Sequence, residues 1–213
     1  MKVIAGLGTS IHGVVVQGDI PAKTLADLKG RTIGVPFGSD SHVDLLVALK
    51  EAGLKVGEDI KLQNLAPNEQ AGAFQQKLVD AVLARPPLLA KLQKENGGRE
   101  VQQWPHHLWV IARTDYLAKN PGVEEKLVAA VREAVVYVNQ NADQSAAWYA
   151  EDLRQQPAAV AVATKLNPLL SGADVKTLTV LPSDELKAFA AIRSKQLVDV
   201  GLTKTAVQFF SAP

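Results

Sequence analysis

Two hydrophobic periods alternate over residues 31–104. Short apolar runs of strand length are followed by segments with an apolar residue every three or four positions. This alternation predicts parallel strands joined by crossover helices in one α/β lobe. The predicted strands cover residues 32–36, 60–65, 79–84 and 100–103, each followed by turn or capping residues.

Three helices are predicted between these strands. The first runs to Gly53, the second begins after Pro67-Asn68, and the third runs from Pro86-Pro87 to a stop at Asn96. Their apolar stripes predict which side chains are buried. These are Val43, Leu46, Val47 and Leu54 for the first helix, and Ala71, Phe74 and Leu78 for the second.

After residue 114 the pattern predicts several helices and no strands. A long helix begins at Asn120-Pro121, and residues 143–153, 157–166 and 183–201 follow as further helices. Upstream, only residues 3–7 and 13–17 are of strand type, so the helices lack a sheet to cover. We therefore expect the first lobe to lack its N-terminal part, and we favour a homodimer through these helices over swapping, rearrangement or aggregation.

Composition excludes several functional classes. The 213 residues carry 23 basic and 22 acidic side chains, and no basic stripe indicates a nucleic-acid partner. The chain has no cysteine, which excludes disulfides, thiolate nucleophiles and sulfur metal sites. The first residues do not form a signal peptide, and no stretch approaches the length of a membrane span.

The loop from Phe37 to His42 joins a predicted strand to the first helix. Gly38 allows a tight turn, and the hydroxyls of Ser39 and Ser41 lie beside the free amides of the helix start. This geometry suits a small anion, but Ser39 and Asp40 are equally typical of helix caps in proteins that bind nothing. No nucleotide-binding glycine motif is present.

The remaining polar candidates favour no metal and no catalysis. Adjacent residues on a strand point to opposite faces, so His106 and His107 should not share an ion, and one of them should face solvent. Ser41, His42 and Asp44 are the residue types of a nucleophile, a base and an orienting acid, but they crowd into one helix start. We expect no metal, no cofactor and no enzyme activity.

Five segments of the chain form a characteristic series. They are Leu25-Ala26-Asp27-Leu28-Lys29-Gly30-Arg31-Thr32-Ile33-Gly34-Val35 with Gly38-Ser39-Asp40-Ser41-His42, then Leu49-Lys50-Glu51-Ala52-Gly53-Leu54, Val79-Asp80-Ala81, Arg113-Thr114-Asp115-Tyr116 to Asn120-Pro121, and Val138-Asn139-Gln140-Asn141-Ala142-Asp143. In this order they resemble the substrate-binding proteins of ABC importers for sulfonates, taurine and nitrate. The resemblance implies a two-lobed periplasmic-binding-protein-like type II fold of the α/β class, with a helix-rich C-terminal part and an incomplete first lobe.

The resemblance also implies a division of the chain. Residues 1–17 would hold a remnant of lobe one and a hinge strand, residues 18–107 the α/β second lobe, and residues 108–213 a return hinge strand with the C-terminal helices of lobe one. The apolar segments 13–17 and 108–112 would pair as the hinge. A small anionic or zwitterionic molecule would bind in the cleft between the lobes.

The implied ligand contacts come from the helix-start loop and two further places. Gly38, Ser39, Asp40, Ser41 and His42 would hold the head group, with Thr9 and Ser10 in a loop crossing from lobe one. Arg85 stands where the family has an aromatic residue, and it either clamps an anion or is a surface arginine. Asp40 stands where the family has Ser or Thr, and together with Arg85 it would suit a zwitterion.

The implied function is solute binding for an ABC importer, with a transporter permease as partner and a periplasmic or cell-surface location. Two alternatives stay open. One is an enzyme on the same fold, of the pyrimidine-precursor synthase or small-acid dehydratase type, and the other is the ligand-sensing domain of a regulator. The cysteine motif of the synthases and the DNA-binding module of a regulator are both absent from this sequence.

Overall fold

In the computed structural model, which describes residues 1–210, five strands form one sheet. The order across the sheet is β3-β2-β4-β1-β5. The strands are β1 (Lys2–Val16), β2 (Thr32–Val35), β3 (Lys61–Asn64), β4 (Ala81–Ala84) and β5 (Arg99–Ala112).

Helices connect and follow the strands, and none among residues 1–210 is long and apolar enough to span a bilayer. A single 3₁₀ turn, Ala26–Leu28, precedes β2. The α-helices are α1 (Asp40–Glu51), α2 (Pro67–Gln75), α3 (Leu88–Glu95), α4 (Thr114–Lys119), α5 (Val123–Gln140), α6 (Ala142–Leu153), α7 (Pro157–Thr164) and α8 (Asp184–Asp199).

The chain divides into two units. The sheet unit is Ile11–His106, and it holds α1, α2 and α3 with most of the sheet. The helical unit combines Met1–Ser10 with His107–Pro213 and holds α4 to α8. Strands β1 and β5 pass from one unit into the other along the chain.

Strand direction differs between the two sides of β4. Strand β2 runs parallel to both β3 and β4, because the α-helical connections return the chain to the same end of the sheet each time. Strand β1 runs antiparallel to β4, with Gly13 opposite Ala84 and Val16 opposite Ala81. The start of this paired segment of β1 therefore lies at the edge where β4 ends.

Strands β1 and β5 are longer than the sequence predicts. Each is one continuous strand where the hydrophobic pattern gave two pieces separated by polar residues. Ladder hydrogen bonds come from the backbone, so a strand continues through polar side chains such as Thr9 and Ser10. The prediction that Thr9 and Ser10 lie in a loop is therefore wrong, since both lie within β1, half-buried.

The core of the sheet unit lies on both faces of the sheet. One cluster includes Leu28, Ile33, Leu45 and Leu49, and the other surrounds Phe74 with side chains from α3 and β4. Helix α1 is rotated from the predicted orientation, so that Leu45 and Leu49 are buried and Leu46 and Val47 are only half-buried. Polar residues occupy the rest of its inner face.

A second correction concerns the end of α2. Leu78 was expected in the core, but it is 62% exposed, whereas Ala73 and Phe74 are buried. The helix ends at Gln75, and Lys77 has a φ of 53°, which places it in the left-handed region. The helical spacing that predicted a buried Leu78 therefore no longer applies there.

The helical unit has its own smaller core. Ala5, Val135, Leu178 and Val180 are its buried centre, and half-buried residues from α5 pack against them. Helix α4 was not predicted, because it has only six residues and no side-chain cap at its start. Large apolar side chains remain exposed on α5 to α7, including Tyr137, Trp148 and Val162. A homodimer through these helices stays a prediction.

Phe74 and Leu78 offer a matched test of the core. Phe74 is fully buried, so Phe74→Ala should lower the free energy of unfolding by about 3 to 5 kcal/mol through lost burial and a residual cavity. Leu78→Ala removes a side chain that is largely exposed to water, so the free energy of unfolding should change by less than about 1 kcal/mol. Urea unfolding followed by circular dichroism measures both. Equal losses in the two variants would contradict this description of the core.

Candidate functional site

Three chain segments meet at the edge of the sheet where β2 and β4 end. The loop from Phe37 to Ser39 follows β2, and Arg85 follows β4, which runs parallel to β2. Strand β1 brings His12 to the same edge, because its antiparallel register sets Gly13 opposite Ala84. Ligands of open α/β sheets bind at the carboxyl ends of strands, so this edge is the candidate site.

The start of α1 is held by Ser39. Its Oγ accepts a hydrogen bond from the His42 backbone N–H at 3.2 Å and donates to the Pro36 carbonyl at 2.6 Å. Gly38 precedes it with a φ of 74°, a conformation that suits glycine. Ser39 is thus a helix cap whose single hydroxyl proton already has an acceptor.

His42 is turned back onto its own loop. The Gly38 backbone N–H donates to His42 Nδ1 at 3.2 Å, and the ring stacks on Phe37 at a centroid distance of 4.6 Å. Burial lowers the pKa of His42, because the charged imidazolium would lose water. His42 is therefore part of the loop structure, with Nδ1 occupied.

Helix α1 presents three polar side chains to the sheet. Asp44 follows Ser41 by three residues and Asp40 by four, so it lies about one turn after both of them on the same side of the helix. Ser41 is 1% exposed, and Asp44 is also buried. A helix that buries such groups needs polar partners on the element it covers.

His12 on β1 is one of these partners. Its Nδ1 lies 3.2 Å from Ser41 Oγ, and its Nε2 lies 3.0 Å from Asp44 Oδ2. The side chain is fully buried, and its ring lies 5.7 Å from Trp104 between centroids, with the two planes at 63°. A carboxylate beside Nε2 favours a proton on that nitrogen, which leaves Nδ1 to accept the Ser41 hydroxyl proton.

His106 on β5 is the partner of Asp40. His106 Nδ1 lies 3.4 Å from Asp40 Oδ2, and the ring lies 5.1 Å from the His12 ring between centroids. Burial is the main influence on His106 and lowers its pKa, while the hydrogen bond with Asp40 raises it in part and the charge of Arg85 lowers it further. In this setting the neutral imidazole is favoured.

Arg85 completes the arrangement. Its Nη2 donates to Ser41 Oγ at 3.2 Å, while the residue as a whole is exposed to solvent. Ser41 therefore accepts from a guanidinium and lies beside an imidazole. We call His12, Asp40, Ser41, Asp44, Arg85 and His106 the polar cluster, and all six belong to the sheet unit.

The structure corrects the expectation for the two adjacent histidines. One of them was predicted to face solvent, but His106 is 5% exposed and His107 is 9% exposed. The two rings do point in different directions: His106 joins the polar cluster, and His107 packs on Phe189 at a centroid distance of 4.2 Å within the helical unit. Both histidines are therefore buried, each within its own unit.

The predicted site residues fall into three groups. Asp40, Ser41 and Arg85 are brought together, while Gly38, Ser39 and His42 shape the loop beside them. Thr9 and Ser10 belong to the helical unit. Among residues 1–210, no group of three or more histidine, aspartate and glutamate side chains is arranged to hold a metal ion.

A family model matches residues 15–150, which is more than half of the chain and contains every member of the polar cluster except His12. The model describes the NMT1-like family. The chain belongs to the NMT1-like family.

Curated relatives agree with this assignment. A Brucella abortus protein named as a binding protein is 28% identical over 165 residues, covering 74% of this chain and 51% of its own length. An Escherichia coli protein named for binding aliphatic sulfonates is 32% identical over 66% of this chain and 45% of its own. A taurine-binding periplasmic protein of Escherichia coli is 35% identical over 46% of this chain and 32% of its own.

The resemblance found in the sequence is therefore confirmed, since these relatives are sulfonate- and taurine-binding proteins by name. The NMT1-like chain spans about half the length of the curated relatives it matches first.

Solved structures confirm the α/β fold class and its likeness to periplasmic binding proteins. The periplasmic aliphatic sulphonate binding protein SsuA of Escherichia coli matches with a TM-score of 0.67 and 24% identity, over 99% of this chain and 72% of that one. The desulfurization enzyme DSZB matches with a TM-score of 0.57 and 21% identity, over 95% and 74%. The fold of this NMT1-like chain is thus shared by binding proteins and by an enzyme.

Sequence reasoning missed the two histidines of the polar cluster. Neither His12 nor His106 was among the predicted ligand contacts, and Asp44 was set aside because it crowds with Ser41 on one helix. The spacing of Asp40, Ser41 and Asp44 did carry a signal, since three polar residues on one side of a helix imply polar partners. The partners themselves depend on strand pairing that the NMT1-like sequence does not reveal locally.

The buried histidines predict a pH dependence of stability. Burial lowers the pKa of His42 and His106, so the unfolded chain binds more protons than the folded one near the ordinary histidine pKa of about 6.5. The free energy of unfolding should therefore fall as the pH is lowered from about 7.5 to about 5.5.

Urea unfolding at several pH values measures how steeply the free energy of unfolding changes with pH. His42→Gln and His106→Gln should each make this slope shallower, and the double variant should show the smallest slope. Stability that is constant or rises as the pH falls would show that the two imidazoles are not held neutral by burial.

Proposed function

We propose that this protein binds a small organic anion, of the sulfonate type, at the polar cluster. The observation that carries the proposal is the Arg85 guanidinium, which donates to Ser41 Oγ at 3.2 Å beside the start of α1. Guanidinium groups hold sulfonate and carboxylate oxygens with paired, charge-assisted hydrogen bonds. The partial positive charge of a helix start adds to the attraction.

The relatives support the class of ligand. Two of them are named for aliphatic sulfonates and for taurine, and the latter is also named as periplasmic. By this relationship, the protein would act as the solute-binding component of an ABC importer, with a permease as its partner and the periplasm as its location. A zwitterion such as taurine would place its anionic group on Arg85 and its ammonium group toward Asp40.

Arg85→Ala tests the anion contact. Ethanesulfonate, taurine or nitrate in millimolar excess should raise the thermal midpoint of the wild type, because a ligand that binds only the folded state stabilises it by mass action. Loss of a charge-assisted hydrogen bond costs about 1.5 to 3 kcal/mol, so Arg85→Ala should weaken binding by about 10- to 100-fold.

The control for this experiment is Arg113→Ala. Arg113 is also exposed and pairs with Asp115, within the helical unit, so its loss should leave ligand binding unchanged. An equal midpoint shift in wild type and Arg85→Ala would contradict the assignment of Arg85. No shift with any of the three anions in the wild type would contradict anion binding itself.

We infer a second candidate function from the order Ser41, His12, Asp44. A hydroxyl, an imidazole and a carboxylate stand in sequence at 3.2 Å and 3.0 Å, which is the set of groups that activates a serine nucleophile. In such a reaction Ser41 Oγ would attack an ester carbonyl carbon and its proton would pass to His12 Nδ1. His12 would then give this proton to the departing alcohol or phenol as the ester C–O bond breaks. Water would then release the acyl group.

A fluorophosphonate probe tests this second function. It reacts with activated serines through displacement of fluoride, and intact-mass spectrometry counts the adducts. Ser41 should be labelled in the wild type, and labelling should slow by about 100-fold or more in His12→Gln, where the base is lost. Ser171→Ala, a change in the helical unit, should be labelled normally. An unlabelled wild type, or equal labelling in Ser41→Ala, would exclude Ser41 as a nucleophile.

A further inference from the structure

The polar cluster contains more negative than positive charge when its histidines are neutral. Asp40 and Asp44 bring two carboxylates from α1, and Arg85 brings one guanidinium from the end of β4. His12 from β1 and His106 from β5 stand between them, with Ser41 and His42 as the other polar groups of α1. An anion arriving at Arg85 would therefore meet the repulsion of two nearby carboxylates.

A proton on either the His12 or the His106 imidazole would offset the negative charge that repels an incoming anion. Each histidine already has a carboxylate within 3.4 Å, which would stabilise the imidazolium as soon as it forms. Burial opposes the charge, and for His106 it is the larger influence in the absence of an anion. A bound anion supplies the additional opposite charge that tips this balance.

The contacts of His12 also determine which way the Ser41 hydroxyl points. With a neutral His12, the Ser41 proton is donated to Nδ1, and the Ser41 oxygen accepts from Arg85. A hydroxyl has one donor and two acceptor positions. When Nδ1 carries a proton, it donates to Ser41 Oγ instead, and the Ser41 proton is released to an incoming anion.

We propose that the polar cluster takes up its anion together with a proton, which His12 or His106 receives. This inference rests on the proposed function, since it describes how that same site accepts negative charge. His12 and His106 thereby become positioning residues: they do not replace Arg85 as the anion contact but set the charge of its surroundings and the direction of the Ser41 hydroxyl.

Proton uptake predicts how strongly the anion affinity depends on pH. Uptake of one proton on binding makes affinity rise about tenfold for each unit that the pH is lowered, over the range where the free site is deprotonated and the occupied site is protonated. Uptake of a proton by each of the two histidines would make affinity rise about 100-fold for each pH unit. Between pH 8.5 and pH 6.5, the dissociation constant should thus fall by about 10- to 100-fold for one proton.

Isothermal titration of the full chain with ethanesulfonate tests the proposal. Ethanesulfonate is the anion of a strong acid, so its own charge does not change over the pH range, and any pH dependence belongs to the protein. Titrations at pH 8.5, 7.5 and 6.5 give the affinity slope. Repeating one pH in buffers of different ionisation heat counts the protons taken up directly.

Three variants locate the proton. His12→Gln and His106→Gln should each be less sensitive to pH than the wild type, and the double variant should bind with no net proton uptake. His107→Gln is the matched control, because His107 is an adjacent buried histidine that packs on Phe189 in the helical unit. It should retain the wild-type slope.

The outcomes separate this inference from the proposed function. Binding whose affinity is constant from pH 8.5 to pH 6.5, with no proton uptake, would overturn the proton coupling and leave anion binding in place. A pH slope that persists in the double histidine variant would overturn the roles of His12 and His106. Absence of binding at every pH would overturn the proposed function and the coupling with it.

Discussion

The antiparallel pairing of β1 with β4 is the constraint on which the candidate site depends. The register that sets Gly13 opposite Ala84 carries His12 to the place where β4 ends and Arg85 begins. Helix α1 starts at the same edge because β2 runs parallel to β4. A shift of β1 by one residue would turn His12 to the other face of the sheet and remove it from Ser41 and Asp44.

The buried polar groups of the cluster must be hydrogen-bond or ion-pair partners of one another. A buried hydroxyl, imidazole or carboxylate without a partner costs free energy, and a buried charge costs more. Here every ring nitrogen of His12 lies near a polar atom of α1, and Asp40 faces His106. The contacts hold α1 against the sheet, so the groups that would bind a ligand also position the helix.

Local patterns predicted much of the sheet unit. Residues 32–35, 61–64 and 81–84 are strands within a residue or two of their predicted ends, and α1 to α3 lie where hydrophobic spacing and prolines placed them. The α/β class and the family were also predicted from the sequence. These features depend on neighbours in the sequence, since strand propensity, caps and helical stripes are all local.

The composition of the site was only partly predictable. Asp40, Ser41 and Arg85 come from a helix start and a strand end, which sequence patterns locate. His12 and His106 enter through pairing between distant strands, and neither the length of β1 nor its antiparallel direction has a local signature. The rotation of α1 that buries Leu45 and Leu49 was missed because polar contacts, which a hydrophobic stripe ignores, help to set it.

The two candidate functions place opposite demands on one proton. A serine nucleophile needs a neutral His12 that takes the Ser41 proton as the bond forms. Anion binding needs that proton to point at the ligand, which the structure allows once His12 Nδ1 is itself protonated. The two functions therefore use the Ser41 hydroxyl in opposite directions, because it donates its proton to His12 in one and to the ligand in the other.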